Sequence, residues 1–223
     1  MTDVLPIWLA DKLEPLMPDH SRFWNKIAEK YASRPIEDPE AYQRKLAETQ
    51  ALLKPDMRLL EIGCGTGGTA IAHAPYVARI DAVDISENML AIARAKAADA
   101  GVEKIRFETA AIDGLSLEAE SYNMVLALSI LHLLEDRGPV IERIYDWLKP
   151  GGYFISSTVC LRDHMAYIRF IFPLLRPLGL VPLVRVFGEA ELIAGIQEAG
   201  FVIEKKLRPK PSAAVFIIAR KPG

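Results

Sequence analysis

The sequence predicts an α/β domain built on a doubly wound, mostly parallel sheet. Three observations carry that reading. A short apolar run of strand type, Leu59-Leu60-Glu61-Ile62, turns through Gly63-Cys64-Gly65-Thr66-Gly67-Gly68 into a helical pattern. From there, apolar runs of strand length alternate with helical periodicities as far as Thr158, as in parallel sheets covered on both faces. The last two apolar runs are joined by a short proline-containing loop, which suits an antiparallel hairpin.

Taken in order, Leu5 to Leu16 is an apolar stretch broken by Pro6 and Pro15, read as a short helix lying on something. Ser21 is placed to cap a helix over Arg22–Ala32, where Phe23, Ile27 and Tyr31 recur every four residues and Trp24 and Ala28 widen the face. Glu40–Leu53 reads as a second helix. Strands follow at Arg58–Gly63, Arg79–Ile85, Ile105–Ala111, Tyr122–Leu128 and Tyr153–Thr158. The helices between them are Gly67–Val77, Glu87–Ala100 and Asp136–Leu148, with a short turn near Leu115–Ala119. Lys149-Pro150-Gly151-Gly152 reads as a helix stop and turn. Glu189–Ala199 is a helix ended by Gly200, and Phe201–Leu207 and Ala213–Ala219 form the hairpin. Five parallel strands and a hairpin make a sheet of seven. The organisation expected is one domain over residues 1–223, with residues 1–54 as a helical cap and 161–187 as an inserted, lid-like segment.

Composition narrows the function classes. The net charge is −2 with no basic stripe, so nucleic acid is not expected as a partner. Two cysteines, Cys64 and Cys160, make neither a disulfide framework nor a metal spacing, and no metal is expected. Met1-Thr2-Asp3-Val4 lacks the basic start of a signal peptide, which points to the cytoplasm. The most apolar stretch, Ile168 to Phe187, contains Arg169, Arg176 and Arg185 and three prolines, a pattern that a bilayer-spanning helix tolerates poorly.

The glycine turn supplies close backbone approach and free N–H groups to a ligand. Glu61 stands where the first strand ends, and Asp84 stands at the tip of the second, where nucleotide-type α/β folds hold a ribose diol. The glycines read two ways. Gly63, Gly65 and Gly68 fit the dinucleotide fingerprint G-x-G-x-x-G, with Asp84 at a ribose-acid spacing. Gly63, Gly65 and Gly67 fit a tighter turn with an acid two residues ahead.

The string Leu60-Glu61-Ile62-Gly63-Cys64-Gly65-Thr66-Gly67 resembles the first motif of class I S-adenosylmethionine-dependent methyltransferases, in their small-molecule branch acting on ubiquinone- or menaquinone-like acceptors. The resemblance runs through Asp84, the turn Leu148-Lys149-Pro150-Gly151-Gly152 and the terminal hairpin, roughly over residues 21–160 and 188–220. It implies a Rossmann-like seven-stranded sheet with helices on both faces. It also implies S-adenosylmethionine as cofactor, S-adenosylhomocysteine as product and a small, partly apolar acceptor. By that resemblance the cofactor site comprises Glu61, Gly63, Cys64, Gly65, Thr66, Gly67 and Leu128, with Asp84 on the ribose, and Ile85 and Met89 around the adenine. The family's acid after the third strand is replaced by alanine in Thr109-Ala110-Ala111-Ile112-Asp113, so adenine contact passes to Asp113 or to the backbone of Ala111 and Ile112. Tyr31 resembles the tyrosine that closes over the cofactor.

Methyl transfer from a sulfonium is an in-line displacement that mainly requires alignment and exclusion of water. His132, after the fourth strand, is a candidate general base; the alternative is a histidine satisfied in a short helix behind the pocket. Trp24, Tyr31, His132 and His164 are candidate acceptor contacts. The segment 161–187 reads as a lid over an apolar acceptor, a peripheral membrane contact, or extra core and dimer surface, in a monomer or homodimer without stable membrane insertion. The rival functions are an NAD-dependent oxidoreductase and a non-catalytic module that holds the same cofactor.

Overall fold

A computed structural model of the chain describes residues 20–178, 180–210 and 212–223. The helix expected over Leu5–Leu16 lies outside the described residues. Seven strands form one sheet in the order β3-β2-β1-β4-β5-β7-β6. They are β1 (Arg58–Ile62), β2 (Arg79–Asp84), β3 (Ile105–Thr109), β4 (Tyr122–Leu128), β5 (Leu148–Thr158), β6 (Val202–Leu207) and β7 (Val215–Arg220). The first five are parallel, and β7 runs antiparallel between β5 and β6.

Eight α-helices are present among the described residues: α1 (His20–Ala32), α2 (Pro39–Gln50), α3 (Gly68–His73), α4 (Glu87–Asp99), α5 (Gly138–Trp147), α6 (Arg162–Met165), α7 (Ile168–Leu175) and α8 (Glu189–Glu198). Successive strand residues face opposite sides of a sheet, so Leu59 and Leu60 belong to different cores. Leu60, Ile62, Val125 and Phe154 pack with Ile141 and Ile144 of α5 and Ile196 of α8. Leu59, Ile80, Met124 and Ile155 pack on the other face with Ala70 of α3 and Leu90 of α4. Both faces are thus covered, which is why the central strands read as unbroken apolar runs. The strand order reverses between β1 and β4. The crevice of such a sheet opens at that switch point, off the carboxyl end of β1.

Local differences from the sequence reading have local causes. Helix α1 already includes His20, so Ser21 lies inside it and is not a cap. The cap of α2 is Asp38, whose carboxylate accepts from Ala41 N at 3.0 Å, with Pro39 at the first helical position. The glycine-turn helix stops at His73, because Pro75 shifts the chain into a 3₁₀ turn. The turn expected near Leu115–Ala119 is found at Ile112–Gly114. Lys149-Pro150-Gly151-Gly152 does not interrupt the chain as a separate turn. It is a bulged start of β5, with Leu148 opposite Tyr122 and the register shifting before Tyr153 meets Met124.

One polar device ties the first three strands together. Asp81 is 2% exposed in the middle of β2. Arg58 donates to it at 2.7 Å and Tyr122 Oη at 3.0 Å, while Arg79 and Arg106 lie at 3.2 and 3.0 Å. Burial alone would raise its pKa, but the Arg58 and Tyr122 hydrogen bonds outweigh that and hold it below the ordinary value. Its stabilising contribution is therefore present above the unfolded carboxyl pKa and fades as the pH falls through the lower folded value. Asp81→Asn should cost about 2–4 kcal/mol at pH 7, somewhat less than breaking a fully buried pair because its arginine partners are partly exposed. Urea unfolding at pH 7 and pH 3 measures this, with the gap between the two proteins shrinking at the lower pH.

Candidate functional site

The site is built from the carboxyl ends of β1 and β2. Leaving β1, the chain turns through Gly63-Cys64-Gly65-Thr66-Gly67 with positive φ at each of the three glycines. The positions have different surroundings. A side chain at Gly67 would press on Ala93 Cβ at 2.8 Å, and one at Gly63 on Ile130 at 2.9 Å, while Gly65 has no atom within 4 Å. Gly63 and Gly67 are thus fixed by packing, and Gly65 faces open space that a ligand can approach.

The turn is held by Asp84. Its Oδ2 accepts from Gly65 N at 2.8 Å and its Oδ1 from Ser86 N at 2.9 Å. An ionised carboxylate has about four acceptor positions, so capacity for a diol is left over. Burial is the largest influence on Asp84 and raises its pKa against the lowering effect of those N–H groups. Glu61 is 3% exposed, and its Oε2 is buried without a hydrogen-bond partner. Burial first, and then the charge of Asp84, push its carboxyl up to about 8, with a backbone hydrogen bond from Ala70 opposing. Neither acid forms an ion pair with a lysine or arginine among the described residues. Two neighbouring acids, one with an orphaned oxygen, make a place for a cationic ligand group.

Around these acids, Cys64 is buried, and burial followed by Glu61 and Asp84 keeps it a thiol, so it is no nucleophile. Its backbone N–H bonds Val83 O at 3.0 Å. Thr66 accepts from Lys96 Nζ at 3.1 Å. Ile85 and Ile112 are half-buried and Ala111 is exposed, beside the β2 and β3 ends. Met89 is buried in the first turn of α4, behind Ser86. Leu128 ends β4, half-buried.

Helix α1 reaches this site through one residue that sequence reasoning missed. Ser86 Oγ donates to Asn25 Oδ1 at 2.7 Å, Asn88 N to the same oxygen at 3.2 Å, and Asn88 Nδ2 to Asn25 O at 3.1 Å. The same Ser86 hydroxyl caps α4 by accepting from Met89 N at 3.2 Å. The helix is therefore fastened to the start of α4 next to Asp84. Tyr31 is 44% exposed, yet it feels Asp84: burial first and then that charge raise its phenol, with Arg34 opposing. Trp24 packs edge-on to Tyr31 with ring centroids 6.4 Å apart.

The β4 side holds the other candidates. His132 lies in a 3₁₀ turn, Leu131–Leu133, where burial depresses it to about 4 and Nδ1 has no partner. It is thus neutral at pH 7: able to accept a hydrogen bond, but a weak base. Its carbonyl accepts from Arg185 N at 2.8 Å, which fastens the inserted segment to this turn. His164 sits in α6, half-buried, with Nδ1 unpartnered. Nothing singled out Ser129, Lys45 or Arg143 in the sequence. Ser129 holds a φ of 60° at the end of β4, a conformation costly for a residue with a Cβ. Lys45 Nζ donates to Ser157 Oγ at 2.9 Å at the end of β5, and burial lowers its pKa. Arg143 fastens the Ile112–Leu115 turn by donating to the carbonyls of Ile112, Asp113 and Leu115. Asp113 itself is exposed and lends only its carbonyl to that bond. Among the described residues no group of His, Cys, Asp or Glu is arranged to hold a metal ion.

Comparison with known proteins agrees with this geometry. A family profile described as a methyltransferase domain matches residues 59–152. The uncharacterized methyltransferase YcgJ of Bacillus subtilis is 31% identical over 122 residues, covering 55% of this chain and 45% of that protein. A ubiquinone biosynthesis O-methyltransferase of Paracidovorax citrulli is 29% identical over 126 residues, covering 56% of this chain and 52% of the relative. The chain thus spans about half the length of the curated relatives it matches. A crystal structure of an S-adenosylmethionine-dependent methyltransferase from Mesorhizobium loti has the same fold, with a TM-score of 0.65 at 22% identity over 78% of this chain and 94% of that one. Residues 59–152 thus match a methyltransferase domain, and the fold is one that solved S-adenosylmethionine-dependent methyltransferases share.

Proposed function

We propose that this chain binds S-adenosylmethionine at the Glu61–Asp84 corner and transfers its methyl group to a small acceptor with an apolar body. The observation that carries the reading is the buried Glu61, with its orphaned Oε2, beside the half-buried Asp84. That cofactor brings an ammonium and a sulfonium, cations that offset the two carboxylates, and when bound it supplies an already activated methyl group. NAD brings a pyrophosphate, whose two negative charges would be set against the same acids. This charge argument separates the two readings of the glycine motif.

In this proposal Asp84 accepts from the ribose diol while keeping its bonds to Gly65 and Ser86 N. Gly65 leaves room for the amino-acid end of the ligand. Ile85, Met89 and the Ala111–Ile112 backbone line the adenine side. Helix α1, fastened by Asn25, brings Trp24 and Tyr31 over the site and limits water, as methyl transfer requires. His132 and His164 flank the acceptor side. His132, unprotonated at neutral pH, orients an acceptor hydroxyl by accepting its hydrogen bond. An oxygen acceptor is in keeping with the printed name of the ubiquinone biosynthesis O-methyltransferase relatives.

Calorimetry tests the reading. S-adenosylhomocysteine should bind and NAD should not, and Asp84→Ala should weaken binding by about 1.5–3 kcal/mol, the scale for hydrogen bonds to a charged acceptor. Tight NAD binding with no response to S-adenosylhomocysteine would overturn it.

A further inference from the structure

The inserted segment exposes its apolar side. In and beside α7, Tyr167, Phe170, Ile171 and Leu174 are all exposed, and Leu174 is 74% exposed. Their spacing is i, i+3, i+4 and i+7, which places them on one helical face. Leu178 and Leu180 extend the ridge beyond the helix and are also exposed. The opposite side is the one that packs inward, through Ile168 at 6% exposure. A ridge of large apolar side chains this continuous marks an interaction surface.

Charge selects the partner. From Ala166 to Phe187 the chain carries Arg169, Arg176 and Arg185 and no acidic residue, within a protein of net charge −2. Arg169 lies beside the ridge with its guanidinium 4.5 Å from the centre of the Phe170 ring. Arg176 borders the ridge from the next turn, 3.8 Å from Glu135. A second copy docked on this face about a two-fold axis would set these guanidinium groups against their own copies. Apolar side chains, a tyrosine and bordering arginines together match the interface of an anionic bilayer, where the chains bury in the acyl boundary and the guanidiniums meet phosphate.

We propose that the face formed by Tyr167, Phe170, Ile171, Leu174, Leu178 and Leu180 docks on an anionic phospholipid surface. The segment is anchored to the fold at the Arg185 N to His132 O bond, beside the candidate acceptor site. Docking there puts that site next to the bilayer, from which an acceptor with an apolar body can be drawn; this last consequence rests on the methyltransferase reading, but the docking does not.

The test uses the full chain and no enzymatic readout. The protein is sedimented with vesicles of equal phosphatidylglycerol and phosphatidylcholine, and with vesicles of phosphatidylcholine alone, at about 0.1 M salt. It should partition into the anionic vesicles at least about tenfold more strongly than into the neutral ones. F170S/L174S changes two exposed side chains, so it should keep the thermal midpoint of the parent while losing about tenfold or more of that partitioning. Phe170→Leu should retain it. The proposal is overturned if the parent stays in the supernatant with anionic vesicles, or if the double variant sediments like the parent. It is equally overturned if ultracentrifugation shows a parent dimer that the double variant breaks, since the ridge is then a protein interface.

Discussion

Replacing Glu61 with glutamine should move stability and cofactor affinity in opposite directions. The folded protein holds this carboxyl at about 8, against an ordinary value of 4.5, mainly through burial and then through Asp84. A raised folded pKa means that ionisation costs more in the native state than in the unfolded chain. Wild-type stability should therefore fall as the pH rises from about 4.5 and level off above about 8, by on the order of 5 kcal/mol. Glutamine removes that dependence, so the variant should be the more stable protein at pH 9 and differ little at pH 4.5. Binding runs the other way. A cationic ligand beside Glu61 favours the carboxylate, so at pH 7 binding should release close to one proton. The variant should release none and bind about 1.5–3 kcal/mol more weakly. Urea unfolding across the pH range and calorimetry in two buffers of different ionisation heat measure both arms. Equal proton release by the two proteins would show that Glu61 does not face the ligand.

Gly67→Ala and Gly65→Ala should separate packing from recognition within one turn. At Gly67, φ is +74° and a Cβ would stand 2.8 Å from Ala93 Cβ and 3.3 Å from the Phe107 ring. The left-handed backbone costs about 1–2 kcal/mol and the overpacking about 1–3. The expected loss of stability is thus roughly 2–5 kcal/mol. At Gly65, φ is +54° and no atom lies within 4 Å of the added carbon. Only the backbone term applies, and stability should fall by about 1–2 kcal/mol. In the proposed binding mode the added methyl takes up space the ligand would fill, so S-adenosylhomocysteine binding should suffer more than stability. Thermal melts with and without ligand distinguish the two patterns. A Gly65→Ala protein that binds like the parent would remove Gly65 from the proposed contact surface.

The sheet was legible because its signal is repetitive. Strands β1, β2, β4 and β5 carry apolar residues that alternate between two cores, while the edge strand β3 alternates Ile105 and Phe107 with exposed charges. The glycine turn and both acids were equally visible, since strand, turn and acid lie close together in sequence. What escaped depends on single polar residues whose partners are far along the chain. Asn25 meets Ser86 and Asn88 more than sixty residues later, and Lys45 meets Ser157 across 112 residues. Asp81 looked like one more strand residue until Arg58, Arg106 and Tyr122 were seen around it. Ser129 gave no sign because a left-handed serine is imposed by the neighbouring strands and not by its own preference. The outward ridge of the inserted segment was readable as apolar, but which side of the helix would meet solvent was not.

The two margins of the sheet govern how copies of this protein meet one another. The outer strands are β3 and β6. Strand β3 presents Arg106 and Glu108 to solvent, and β6 presents Glu204, Lys205 and Lys206 and is interrupted by a register shift between Ile203 and Lys205. Charged side chains and a kinked margin discourage a second strand from adding to the ladder. Sheet-to-sheet polymerisation is thereby opposed at both ends. A crowded solution of this protein is guarded along its hydrogen-bonding rims, so association must use side-chain surfaces.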